Sequence, residues 1–138
     1  MTIKEIQEKI IEEFALFDDW MERYEYIIDL GKSLPLIDPQ YKVDENLIKG
    51  CQSKVWLHTE LKDNQLIFTA DSDAILTKGI VALLLRVFSN QQATAILEAD
   101  TSFIDEIGLK EHLSPTRANG LVSMLKQIKL YAVVLQAK

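Results

Sequence analysis

Hydrophobic residues near the start of the chain recur at helical spacing. They fall every three or four positions, with lysine and glutamate between them, at Ile3, Ile6, Ile10, Ile11 and Phe14. Such spacing places them on one face of an amphipathic helix, which Thr2 is positioned to cap. A second helix is predicted in "FDDWMERYEYIIDLGKSL", where Asp18 or Asp19 would cap the start and Gly31 would mark the end.

Strict alternation then replaces the helical period. In "SKVWLHTELK", alternate residues form an apolar face of Val55, Leu57, Thr59 and Leu61. This predicts a strand with one buried face. The dipeptide "DN" at 63–64 fits a tight hairpin turn, and "QLIFTAD" predicts the returning strand. The preceding stretch, Pro35–Gly50, has no clean period and predicts a long ordered loop, a feature that is often functional in a compact domain.

The remainder of the chain is predicted to be helical. "SDAILTKGIVALLLRVFSN" is apolar on nearly every side, which favours a core helix capped by Ser72 or Asp73. Two short capped helices are predicted in "SNQQATAILEAD" and "DTSFIDEIGL". A long last helix begins with Ser114 as its cap and Pro115 in its first turn, and runs towards Lys138. The order predicts one α+β domain over residues 1–138, with a small antiparallel sheet packed against several helices.

Composition and charge narrow the classes of function. The net charge of −6 repels phosphate groups, so neither nucleic acid nor an anionic membrane is an expected partner. The charged, periodic N-terminus is unlike a signal peptide. The chain holds 1 cysteine, which cannot form an internal disulfide and agrees with a reducing compartment. We therefore expect a cytoplasmic protein.

The single cysteine, Cys51, is the main candidate for chemistry. A lone cysteine is often only a small buried hydrophobic residue. Cys51, however, follows Gly50 and precedes Gln52 and Ser53 in a polar loop at the start of a strand. A reactive group can be presented in such a loop, whereas a thiol meant for packing usually belongs to an apolar period.

Cys51 has two other conceivable uses. Cys51, His58 and His112 are the only side chains in the sequence with the usual nitrogen or sulfur ligands for metals. Three such ligands are too few for a structural zinc site or an iron–sulfur cluster. We therefore expect no metal and no cofactor. A cysteine-dependent hydrolase remains the alternative, with either histidine as the base. Arg117, in the first turn of the last helix, is well placed to meet an acidic partner.

Three stretches together resemble the SufE family of sulfur-acceptor proteins in iron–sulfur cluster assembly. They are "GCQSKVW" at Gly50–Trp56, "ADSDA" with "KGIVALL" within Ala70–Leu84, and "LSPTRANGL" at Leu113–Leu121. Each stretch alone is a weak signal, but their order and the chain length match the family. The resemblance implies the fold that SufE proteins share with IscU scaffolds, which carry three cysteines. One cysteine fits sulfur transfer better than cluster building.

The resemblance also implies a mechanism and partners. A pyridoxal-phosphate-dependent cysteine desulfurase of the SufS type would hold sulfur as a persulfide, and Cys51 would accept it for delivery to an iron–sulfur scaffold complex. The protein would then be a transfer partner and activator of the desulfurase, and not a stand-alone enzyme. In the family the free thiol is tucked against an apolar pocket. Whether the protein forms a homodimer is left open.

Each residue near Cys51 has an expected role. Gly50, Gln52 and Ser53 are expected to form the hinge and the presenting loop of the cysteine. Arg117 and Asp73 are expected to contribute to partner binding. Asp73, at the start of the core helix, is also our candidate for a polar clasp that holds the loop.

Overall fold

The computed structural model describes residues 1–136, so the predicted helix end at Lys138 lies outside the described residues. The described part has the predicted α+β architecture, with six α-helices and one antiparallel hairpin. The elements are α1 (Ile3–Ala15), α2 (Trp20–Gly31), β1 (Val55–Lys62), β2 (Gln65–Ser72), α3 (Ile75–Phe88), α4 (Ala93–Glu98), α5 (Phe103–Glu106) and the long C-terminal α6 (Pro115–Gln136).

The hairpin forms in the predicted register. Val55 pairs with Ser72 at one end, and Lys62 pairs with Gln65 at the other. The two turn residues, Asp63 and Asn64, have positive φ angles of 51° and 66°. A type I′ turn requires positive φ at both central positions, and Asp and Asn favour such turns. The apolar face is buried against the helices near the open end. Leu61, next to the turn, is 42% exposed, whereas its cross-strand partner Leu66 is fully buried.

The long loop Pro35–Gly50 is ordered and follows both edges of the hairpin. It contains the short 3-10 helices Pro39–Tyr41 and Asp44–Asn46. Leu36 makes a parallel bridge to Ala70 of β2, and Leu47 makes an antiparallel bridge to Trp56 of β1. These bridges use edge groups that would otherwise be unpaired. The loop therefore brings its last residues, just before Cys51, against the start of β1.

Helix α3 is the core helix, as predicted. Most of its residues are buried, and it packs against α2, α1, α6 and β2. A glycine makes the closest of these contacts possible: a Cβ on Gly79 would lie 2.1 Å from the carbonyl oxygen of Ile27 in α2. Gly31 ends α2 at the same crossing, where an added Cβ would lie 3.1 Å from the backbone nitrogen of Gly79. The two glycines let the helix backbones approach directly.

The predicted cap of α3 was wrong. Its N-cap is Ala74, which makes no side-chain capping bond. The Ser72 hydroxyl accepts from the Ala74 N–H, and the Asp73 carboxylate accepts from the N–H of Lys54. Ser72 thus binds the N-cap residue and Asp73 binds the end of the Cys51 loop, and neither side chain reaches the first turn of the helix.

Other helix starts agree with the sequence in part. Thr2 forms a capping box with Glu5, Asp19 caps α2, and Ser114 accepts a hydrogen bond from the N–H of Arg117 at the start of α6. The two short helices exist as predicted, but neither α4 nor α5 has a side-chain cap. These two short helices are stabilised by burial of their apolar residues, and side-chain capping does not contribute.

Candidate functional site

The loop that carries Cys51 turns sharply at Gly50. The φ angle of Gly50 is +93°, which side chains with a Cβ strongly disfavour. The backbone also comes close to α6: a Cβ on Gly50 would lie 2.5 Å from the Ser123 Oγ. Glycine is therefore required here both by the backbone conformation and by the contact with the helix, and it aims the next residue towards α6.

Cys51 is half-buried against the N-terminal half of α6. Its thiol donates to the carbonyl oxygen of Gly120 at 3.6 Å. A Cβ on Gly120 would lie 3.4 Å from the Cys51 Sγ, an ordinary van der Waals distance, so the sulfur lies close to the helix backbone. A pocket of about 40 Å³ surrounds the thiol, lined by Cys51, Gln52, Ser53, Thr77, Ile80, Thr116, Arg117, Gly120 and Met124.

Burial raises the pKa of the Cys51 thiol above its ordinary value. The cause is desolvation, which disfavours the thiolate in this partly apolar setting. Because the thiolate is the nucleophile, a sheltered Cys51 is a slow one at neutral pH. The geometry shown here therefore disfavours ionisation of the sulfur.

A polar clasp holds the strand side of the loop. The Lys54 N–H donates to the Asp73 carboxylate at 3.1 Å, and the Asp73 N–H donates to the Lys54 carbonyl at 3.3 Å. The two bonds join the residue that precedes β1 to a residue just before α3. That these bonds hold the loop, and that the Asp73 side chain binds a partner, both stay predictions.

Arg117 contributes an exposed cation to the rim of the Cys51 pocket. Within residues 1–136 its guanidinium makes no ion pair. Its backbone N–H is fixed by the Ser114 cap, so the start of α6 sets its position. A free cation beside the cysteine can meet a carboxylate or another anion, and its role in binding likewise stays a prediction.

The two histidines are placed elsewhere. His58 stacks on Tyr41 with ring centroids 3.7 Å apart, and His112 stacks on Trp20 at 3.9 Å. Neither imidazole is among the residues that line the Cys51 pocket. A hydrolase needs a base within hydrogen-bond reach of its nucleophile. The arrangement gives the alternative of a cysteine-dependent hydrolase no support.

Two further features of residues 1–136 bear on the site and the setting of the protein. No group of three or more His, Cys, Asp or Glu side chains is arranged to hold a metal ion. No helix in the same part of the chain has the length and apolar character needed to cross a membrane.

Sequence reasoning missed several residues of the site, and three of them make the contacts that matter most. Gly120 receives the thiol, Ser123 contacts Gly50, and Thr77 is a buried wall of the pocket. Gly120 lies within "LSPTRANGL", one of the three stretches that resemble the SufE family, so the sequence did single out this part of the chain. Its contact with Cys51 was not, because the two residues are 69 positions apart in the chain.

These features define a class: a small α+β protein that carries one sheltered thiol at a tight loop. Residues 8–132 match the SufE family model, described as an Fe-S metabolism associated domain. The chain therefore belongs to the SufE family. This membership supports a role in the sulfur transfer of iron–sulfur metabolism and implies an interaction with a cysteine desulfurase.

Similar proteins agree with the family. An uncharacterized SufE-like protein of Rhizobium meliloti is 43% identical over 88% of this chain and 91% of its own length. Another from Rhizobium etli is 41% identical, over 92% of this chain and 89% of that protein. "SufE-like protein 1, chloroplastic/mitochondrial" of Arabidopsis thaliana is 37% identical over 99% of this chain, but this covers 38% of the plant protein.

The fold also matches a solved structure. The solution structure of a hypothetical protein from Thermus thermophilus superposes with a TM-score of 0.80 over 96% of this chain and 97% of that one. The sequence identity of that pair is 18%, so the likeness concerns the fold alone.

Proposed function

We propose that this protein accepts sulfur on Cys51 from the persulfide of a pyridoxal-phosphate-dependent cysteine desulfurase and delivers it to an iron–sulfur scaffold complex. The observation that carries the proposal is the sheltered thiol of Cys51 at the tight turn of Gly50, in a chain of the SufE family. The desulfurase is of the SufS type.

The transfer is a thiol–persulfide exchange without net oxidation. The Cys51 thiolate attacks the outer sulfur of the desulfurase persulfide and forms a new S–S bond. The original S–S bond breaks, and its electron pair leaves with the desulfurase cysteine as a thiolate. The products are a Cys51 persulfide and a desulfurase cysteine that is free for the next turnover. Removal of the sulfur in this way stimulates the desulfurase.

The loop must leave its shelter for this reaction. In the structure described, the thiol faces Gly120 and is poorly ionised. The desulfurase favours an extended loop only if it makes contacts that are absent from the docked loop. Gly50 acts as the hinge, and Gln52 and Ser53 travel with the cysteine. Desolvation protects the Cys51 thiol while the loop is docked. Release of the loop at the partner allows the thiol to react.

Two residues around the loop have different roles: one holds the docked loop, and the other binds the desulfurase. Asp73 stabilises the docked loop through its two bonds to Lys54. Arg117 is free to meet a carboxylate of the desulfurase at the mouth of the pocket. No second cysteine is present to resolve the Cys51 persulfide into a disulfide within the chain. The sulfur therefore persists until an acceptor takes it.

Intact mass spectrometry tests the proposal. The protein is incubated with a purified cysteine desulfurase and L-cysteine, and its mass is compared before and after reduction. A gain of sulfur on Cys51 that is lost on reduction is expected. Cys51→Ser removes the acceptor with little change in volume, so its mass should stay constant while its circular dichroism spectrum is retained. A desulfurase that is still stimulated by Cys51→Ser would exclude covalent acceptance as the mechanism.

A further inference from the structure

A second depression lies beside the Cys51 loop along α6. It has a volume of about 380 Å³ and is called the α6 groove here; its lining residues are Glu45, Leu47, Ile48, Lys49, Ser123, Lys126, Gln127 and Leu130. Ser123 of this groove is also the residue that Gly50 touches. The groove therefore begins where the cysteine loop rests on the helix and continues from there towards the C-terminal half of α6.

The groove continues into an exposed aliphatic stripe. Leu130 is 54% exposed, and Val133 and Val134, one turn further along α6, are 52% and 50% exposed. Residues three and four apart lie on the same side of a helix, so these three side chains form a continuous surface. After Pro115, the exposed residues earlier in the helix, such as Asn119 and Lys126, are polar. The apolar character is thus confined to one end of the helix, next to the groove.

Charge on the α6 groove is opposite to that of the whole protein. Two lysines, Lys49 and Lys126, line it together with a single carboxylate, Glu45, although the chain carries a net charge of −6. Within residues 1–136 neither lysine forms an ion pair. Unpaired cations beside aliphatic side chains complement a segment that carries carboxylates beside aliphatic residues.

We propose that the α6 groove is a docking site for an acidic, aliphatic segment of the cysteine desulfurase. The inference rests on the proposed function and extends it, because it adds a binding surface separate from the Cys51 pocket and names its chemistry. Leu130, Val133 and Val134 supply the apolar contact, and Lys49 and Lys126 select for carboxylates. The occupant approaches along α6 from its C-terminal side.

The position of the groove couples docking to the cysteine loop. Lys49 directly precedes Gly50, so a partner carboxylate that binds Lys49 acts on the hinge residue's neighbour. Ser123 forms both the seat of Gly50 and part of the groove wall. An occupant that displaces Gly50 from Ser123 frees Cys51 from Gly120. The contact that the occupant makes with Ser123 in place of Gly50 exists only when the loop is released, and such a contact shifts the equilibrium towards release.

The test measures binding without sulfur transfer. Calorimetry with a purified desulfurase uses the Cys51→Ser protein as the parent. Lys49→Glu with Lys126→Glu should weaken the Kd about tenfold at low salt and less at high salt, because rim charges are screened. Leu130→Ser should weaken the Kd severalfold at both salt concentrations, because it removes apolar contact. The matched control, Lys4→Glu with Lys62→Glu, makes the same charge change elsewhere on the exposed surface and should bind like the parent.

The outcomes separate this inference from the proposed function. Groove variants that bind as tightly as the control overturn the docking site, even where the wild type gains sulfur in the mass experiment. A wild type that gains no sulfur overturns the proposed function, whereas the affinities still decide the groove. Sedimentation of the free protein tests whether a second copy of this chain occupies the groove instead. A groove variant that alters self-association and leaves the desulfurase affinity unchanged also overturns the proposal. Circular dichroism verifies the fold, and Lys49→Gln with Lys126→Gln should give an intermediate affinity.

Discussion

Replacement of Gly50 by alanine should release the cysteine loop without any partner. The φ angle of +93° costs a residue with a Cβ about 1–2 kcal/mol. The added Cβ would also lie 2.5 Å from the Ser123 Oγ, a contact that the serine can relieve by turning its side chain. Because the released loop is free of both constraints, the docked state alone is penalised. A penalty of about 1–2 kcal/mol raises the released population about 5- to 30-fold.

Alkylation of Cys51 reports this population directly. The iodoacetamide rate of Gly50→Ala should exceed that of the wild type by about 5- to 30-fold at equal pH, provided that loop closure is faster than alkylation. The rate of an unstructured peptide with the same loop sequence sets the upper limit. Circular dichroism and thermal unfolding establish that the rest of the fold is retained in the variant.

A second variant separates the two causes. In Gly50→Ala with Ser123→Ala the nearest remaining side-chain atom is the Cβ of residue 123, 3.4 Å from the added Cβ, and the backbone strain is unchanged. The double variant should therefore keep most of the increase, and Ser123→Ala alone should react like the wild type. An unchanged rate in Gly50→Ala would refute the role of the hinge strain. A wild-type rate equal to that of the free peptide would refute the sheltered loop itself.

Three further changes test other contacts. Asp73→Arg removes the carboxylate bond of the clasp but not its backbone bond to Lys54, and it should raise the alkylation rate of Cys51 severalfold; an unchanged rate would remove the Asp73 side chain from the shelter. Arg117→Glu should weaken desulfurase binding by about 1–3 kcal/mol, less at high salt, and calorimetry that shows no change would place Arg117 outside the interface. Glu13 accepts two bonds of 2.6 Å from Arg86, which holds its pKa below its ordinary value of 4.5. Its stabilising effect is present above pH 4.5 and is lost as pH falls through the lowered pKa, so Glu13→Gln should flatten acid unfolding curves in that range and lower stability by about 1–3 kcal/mol.

The sequence predicted the elements because their signals are local. The alternation after residue 53, the Asp-Asn turn and the all-round apolar segment of α3 each depend on residues that are close in the chain. The starts of α2 and α6 were predicted for the same reason, since a cap and its acceptor are a few residues apart. The cap of α3 was missed because Asp73 binds Lys54 across the open end of the hairpin, 19 positions away in the chain, and this partner outcompeted the local one.

The same distinction applies to the site. The sequence alone determined that the protein has one thiol, that a glycine precedes it, and that the motifs around it are those of the SufE family. Tertiary structure decided that Cys51 faces Gly120, that Gly50 rests on Ser123, and that Lys49 and Lys126 share a groove. Such contacts join residues far apart in the chain. Their energies depend on packing and desolvation, which no local pattern of residues encodes.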